Sequence, residues 1–235
     1  MNNVVVYYRL CSIRSSNPSP IFDDNKFELN KACFKSFVEA FKDIKPKVVV
    51  LADYCDYLEA EMIEELCPFE YQYIPTKIGI NETCLLQYKM ASEQDDEIIL
   101  FLECDYWWNP TLNVKKYISG IKELGLVSPY NHLNYYKDRT QHSNICQIEL
   151  IDDHIFRSVE TCTMTFGLRK DVLIKYLDIF NRYGYLDHFV WIDIAKEGQK
   201  LFVPIPTFST HSVKDYLAPQ VNWLEIFKYA QDNSN

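Results

Sequence analysis

Short apolar runs alternate with amphipathic stretches along almost the whole chain, and this rhythm limits the fold more than any other feature. The runs VVVYY (4–8), VVVLAD (48–53) and IILFLE (98–103) have the length of buried strands. Between them, Leu29, Ala32, Cys33, Phe37, Ala40 and Phe41 fall at spacings of three and four, which predicts a helix over 28–43 that stops before Pro46. The same reasoning predicts helices over 57–66, 82–92, 111–124, 170–182 and 187–197, and strands over 70–75, 125–129, 161–168 and 200–206. Repeated βα units build a Rossmann-like α/β domain, with a mainly parallel central sheet flanked by helices.

The chain has 235 residues, 48% of them apolar, and no linker-like stretch, so one domain with a substantial core is expected over 1–235. A formal charge of -9 without a basic cluster argues against nucleic acid as a partner, while a local pocket or a bound cation still permits a phosphorylated ligand. None of the eight cysteines stands in a CxxC pair, and most are expected to be reduced core residues. The start MNNVVVYYRL has no basic lead-in, and no run reaches the ~18 apolar residues of a spanning helix; a cytoplasmic location without a transmembrane segment is the expectation. A GxGxxG turn and a phosphate-binding GxxxxGK loop are both missing, which removes dinucleotide oxidoreductases and P-loop kinases.

In an open α/β sheet, ligands bind beyond the carboxyl ends of the strands. Asp53 closes the second strand, and Glu103 and Asp105 stand one residue apart at the end of IILFLE. Residues two apart in an extended segment project to one side, so this pair is positioned to share one cation; a turn at a strand exit is the plainer alternative. Tyr106, Trp107 and Trp108 follow, as a site wall or as ordinary core.

On these residues the chain resembles the nucleotide-sugar glycosyltransferases of the A type, particularly the family 2-like members, over most of its length. IILFLECDYWWNP looks like their metal-binding acidic motif, with Glu103 where Asp is more usual. The resemblance implies a donor half over 1–110 and an acceptor half over 111–235. It implies Mn²⁺, or Mg²⁺, on Asp105 with His211 of FSTHS completing the metal set. Glu103 joins that set or lies nearer the ribose, and Cys104 sits between the two acids in the donor-binding stretch. DHFVWIDIAKEG is similar to the acidic helix start that supplies the catalytic base, which makes Asp187 the base and Asp193 the second choice. Arg9 and Arg14 would flank a loop under the nucleotide. Asp53 would reach the base or ribose, unless it is a cap or turn residue, and Asn81 and Glu82 fall near the nucleotide-contacting helix start. Thr163 and Thr165 would face the acceptor, and the loop 130–145, with Tyr130, His132, Tyr135, Tyr136, Arg139 and His142, is an acceptor lid or a solvated connector.

The implied activity is metal-dependent, inverting transfer of a sugar from a nucleoside-diphosphate donor to a carbohydrate hydroxyl. A non-catalytic nucleotide-sugar or carbohydrate-binding module is the alternative, and a metal-dependent phosphoesterase, which needs more ligands than the five histidines offer, ranks below both. Oligomeric state is left open.

Overall fold

The computed structural model describes residues 4–13, 19, 20, 22, 25–137 and 146–232. Strands β1 (Val4–Cys11), β2 (Lys47–Asp53), β3 (Tyr71–Thr76) and β4 (Ile98–Glu103) run parallel in the order β3-β2-β1-β4. Helices α1 (Lys26–Phe41), α2 (Tyr57–Leu66) and α3 (Ile80–Glu93) make the three crossovers. Asn25 caps α1, its side chain accepting from Glu28 N–H, and α2 starts in a capping box formed by Asp56 and Glu59.

The second half contributes β5 (Tyr106–Trp108), α4 (Lys115–Leu124), β6 (Leu126–Val127), α5 (Asn134–Lys137), β7 (Ile148–Ile151), β8 (His154–Val159) and β9 (Phe166–Arg169). It continues through α6 (Lys170–Tyr183), α7 (Asp187–Lys196), β10 (Leu201–Ile205), β11 (Ser209–His211) and α8 (Trp223–Asp232). One nine-stranded sheet results, in the order β3-β2-β1-β4-β9-β6-β10-β8-β7, and β5 pairs with β11 in a separate two-stranded ladder. Strand β9 runs antiparallel to both β4 and β6, and β8 antiparallel to β10 and β7, while the remaining strands of the large sheet point one way. The α/β architecture with a mainly parallel sheet is therefore present.

Period-two alternation divides β1 between two cores. Val4, Val6, Tyr8 and Leu10 join a cluster with Phe34, Phe37 and Phe41 of α1; Val5 and Tyr7 join Tyr88 of α3, Phe166 of β9 and Trp191 of α7 on the other face. This parity matters for the site, because it sends Arg9 to the α3 face. The β7–β8 hairpin, absent from the predicted elements, turns on Asp152 and Asp153 at φ 47° and 59°. The Thr-rich segment 161–168 is strand only from Phe166 on. Among the described residues no helix is long and apolar enough to cross a membrane.

Candidate active site

Parallel pairing sets Arg9 directly beside Glu103, at the carboxyl ends of the central strands β1 and β4. Arg9 Nη2 donates to Glu103 Oε1 at 2.6 Å and Nη1 to the carbonyl of Ile80 at 3.4 Å, tying the start of α3 to the sheet. Thr165, just before β9, accepts from Glu103 N–H at 3.1 Å. Burial pushes the Glu103 carboxyl above its usual range, and Asp105 and Asp187 push the same way against the opposing charge of Arg9.

A turn at Cys104–Asp105 ends β4, so the two acids do not stay on one extended face as predicted. Asp105 points instead to His211, with Oδ2 to Nε2 at 3.2 Å. The β5–β11 ladder makes this pair: it registers His211 opposite Tyr106, whose ring stacks on the imidazole at 5.0 Å and 3°. Ser212 N–H donates to the Asp105 carbonyl at 2.8 Å and fixes the turn. Burial opposes ionisation of Asp105, but the charge and hydrogen bond of His211, with Lys26 nearby, overcome it and hold the carboxyl below its usual range. For His211 burial likewise opposes the charged form, and Asp105 outweighs it.

Lys26, at the start of α1, was not among the sequence candidates. Its Nζ lies 3.5 Å from Cys104 Sγ, and Cys104 and Asp105 hold its charge against burial. Helical periodicity reads Lys26 only as a first-turn position, so nothing in the local pattern points to it. The candidate Cys104 is 5% exposed, and its side chain packs beneath Lys26 rather than opening to the site.

Asp187 begins α7, accepts from His188 N–H at 2.6 Å, and is raised above the usual carboxylate range by burial. Its charge is felt by Glu103, Cys162 and Tyr135. Gly184, at φ 56°, makes the turn that delivers α7, and a side chain there would collide with Asn81 of α3. Asn81 thus braces the Asp187 turn. Asp193 carries Lys196 at 2.7 Å and the Tyr183 hydroxyl at 2.7 Å, a surface tie between α7 and α6.

Asp53 is 6% exposed and spends both oxygens on the β3–α3 loop: Oδ1 accepts from Thr76 Oγ1 and Ile78 N–H at 2.9 Å each, and Oδ2 from Gly79 N–H at 3.1 Å. That geometry is the turn-forming alternative. Trp107 and Trp108 are core, packed on Phe227 and on Phe41 and Tyr117, so of the aromatic run only Tyr106 lies against the acidic pair. Thr163 accepts from the Tyr106 hydroxyl at 2.7 Å. Arg14, Arg139 and His142 lie outside the described residues.

No protein-family model matches the sequence, and none of the curated proteins matches it. Solved structures do match. S. aureus TarS 1–349 in complex with UDP-GlcNAc superposes at a TM-score of 0.55 and 14% identity, over 86% of this chain and 56% of that one, so this chain spans little more than half of TarS 1–349. HddC from Yersinia pseudotuberculosis matches at 0.51 and 13% over 97% of this chain and 98% of that one. A Desulfovibrio desulfuricans G20 protein, provisionally assigned as a nucleotide-diphospho-sugar transferase, matches at 0.50 and 9% over 86% and 80%.

The fold is the glycosyltransferase A fold. In that fold the Asp105–His211 pair, the Arg9–Glu103 pair and Asp187 occupy the carboxyl-end face of the central sheet, where ligands of open α/β sheets bind. Among the described residues no three His, Cys, Asp or Glu side chains gather into a metal cage.

Proposed function

We propose that the protein transfers a sugar from a nucleoside-diphosphate donor to a carbohydrate hydroxyl, with inversion at the anomeric carbon. One observation supports this above the others: a half-buried carboxylate at a helix start, Asp187, acts by its charge on Glu103, which also feels the charges of Asp105 and His211, in a glycosyltransferase A fold.

Asp105 and His211 fit a divalent cation. Asp105 Oδ2 and His211 Nε2, 3.2 Å apart, are the atoms that would hold it, the imidazole giving up its Nε2 proton. A mixed nitrogen and oxygen set favours Mn²⁺ over Mg²⁺. When bound there, the cation would supply charge neutralisation for the leaving diphosphate. Glu103, held by Arg9, stands behind this pair rather than in it.

The chain's own groups do the rest. Asp187 takes the proton of the acceptor hydroxyl as that oxygen attacks the anomeric carbon; the bond from that carbon to the diphosphate oxygen breaks, and the diphosphate leaves with the electron pair. A general base in this role is worth ~10²- to 10⁴-fold, and burial, by raising the Asp187 pKa, makes it a better proton acceptor. Lys26 adds a fixed positive charge beside Asp105, on the side where the diphosphate charge accumulates.

The test is release of nucleoside diphosphate from a panel of nucleotide sugars, with wild type, Asp187→Asn and Asp105→Ala compared. Asp187→Asn is expected to lose turnover by ~10² or more while keeping donor affinity, and Asp105→Ala to lose metal-dependent donor binding. Normal turnover in Asp187→Asn, or pyrophosphate release from a nucleoside triphosphate in place of sugar transfer, contradicts the assignment.

A further inference from the structure

The segment that follows β6 carries a histidine that the proposed transfer does not use. Asn134 N–H donates to His132 Nδ1 at 2.9 Å. A ring nitrogen that accepts a hydrogen bond carries no proton, so the neutral imidazole has its hydrogen on Nε2 and presents a donor there. Burial, helped by the charge of His211, keeps the ring neutral, its pKa pushed down to about 4. Among the described residues Nε2 makes no hydrogen bond.

The ring is set in an aromatic bowl, with Tyr130 at 5.1 Å, Tyr216 at 5.4 Å and Tyr135 at 5.7 Å between centroids. Each wall is anchored. Tyr130 bridges to Ser209 of β11, its hydroxyl donates to the Tyr216 carbonyl, and its ring lies 6.5 Å from that of His211. Tyr135 donates its hydroxyl to the Thr161 carbonyl and feels the charge of Asp187. Arg157 lies over the rings of Tyr136 and Tyr135, at 4.6 and 5.3 Å, and clamps α5. The His132 ring thus lies between Tyr130, whose ring approaches that of His211, and Tyr135, which feels the charge of Asp187. Tyr216, 37% exposed, has its ring beside it at 5.4 Å.

We infer that His132 and Tyr216 form the acceptor subsite: His132 Nε2–H donates to a hydroxyl of a pyranose ring whose C–H face lies on Tyr216. An apolar ring face plus a fixed donor is how a neutral sugar is held without charge. The inference rests on the proposed transfer and adds to it the class of acceptor, a neutral glycoside, and the residues that select it.

The test reads three quantities on the full chain. Long-range ¹⁵N–¹H correlation of the histidine rings gives the His132 tautomer, expected as Nε2–H. Saturation-transfer NMR with methyl β-D-glucopyranoside, methyl β-D-galactopyranoside and methyl α-D-mannopyranoside gives acceptor binding. Thermal stabilisation by UDP, GDP, dTDP and CMP with Mn²⁺, in the same samples, gives donor binding.

At least one glycoside is expected to bind the wild type and to bind His132→Phe and Tyr216→Ala about tenfold more weakly, the factor one net hydrogen bond carries. His132→Gln, which keeps an N–H near the Nε2 position, should recover most of the loss. Nucleotide stabilisation should be the same in all four proteins. Equal glycoside binding by His132→Phe and wild type, no glycoside binding by the wild type, or an Nδ1–H tautomer overturns the subsite. Nucleotide stabilisation that persists while the subsite fails leaves the transferase reading standing; its absence in the wild type removes that reading instead.

Discussion

Arg9 and Glu103 meet across β1 and β4 with side chains 9% and 24% exposed, and each is what makes the other tolerable at the end of the sheet. Removing the guanidinium leaves a carboxylate facing two more, Asp105 and Asp187. Arg9→Met should cost on the order of 3 kcal/mol in urea unfolding, and Arg9→Met with Glu103→Leu distinctly less, because the second change removes the stranded charge. His154 gives a pH-dependent term. It is 4% exposed, lies 4.5 Å from Phe208 between ring centroids, and donates Nε2–H to the Pro206 carbonyl at 2.8 Å. Burial lowers its pKa, so the unfolded chain binds a proton first: its contribution is intact above about pH 6.5 and is lost as the pH falls below that. The wild type should lose more stability between about pH 7 and pH 5 than His154→Phe, and parallel curves would contradict this. At this scale alternation showed that acids close the strand IILFLE; the family resemblance put His211 with Asp105, as the structure does, while the pairing of Arg9 with Glu103 came from neither. Alternation put Glu103 and Asp105 on one side; the turn at Cys104 gives them different partners, and these partners, Arg9 and His211, come from 94 and 106 residues away.

Among the elements, β9 shows how tightly the site's floor is packed. Gly167 faces Leu100 of β4 and Tyr117 of α4, and a Cβ there would sit 2.5 Å from Leu100 Cδ2 and 2.8 Å from the Tyr117 hydroxyl. Gly167→Ala should cost about 1–3 kcal/mol by overpacking, seen as a lower denaturation midpoint; a neutral change would mean that β9 sits further from α4. The strands and helices of the first half were legible because they are single-period segments bounded by Pro, Asp or Gly, and α2 and β4 fall on the predicted ranges. The β7–β8 hairpin was not, since its turn is Asp-Asp rather than Asn-Gly and its strands are half-exposed. The short strands β5 and β11 were also missed. Three residues carry no period, and they exist because they pair with each other, yet they are the elements that bring His211 to Asp105.

Over the whole molecule, a chain with a net charge of -9 gathers two cations, Arg9 and Lys26, and the imidazole of His211 against the acids at the carboxyl ends of its two central strands. The rhythm of apolar runs pointed to this edge, since every parallel strand delivers its last residue there. Which side chains meet there depended on register between distant strands, which periodicity does not encode. The proposed transfer requires that this edge bind a nucleoside diphosphate through a cation held by Asp105 and His211. Thermal unfolding of wild type and Asp105→Ala with UDP, GDP, dTDP and CMP, each with and without Mn²⁺, tests it most directly, because a ligand that binds only the folded state raises the midpoint by mass action. A Mn²⁺-dependent rise is expected for at least one nucleotide in the wild type and is lost in Asp105→Ala. No rise with any of the four, or an equal rise in the variant, would contradict it.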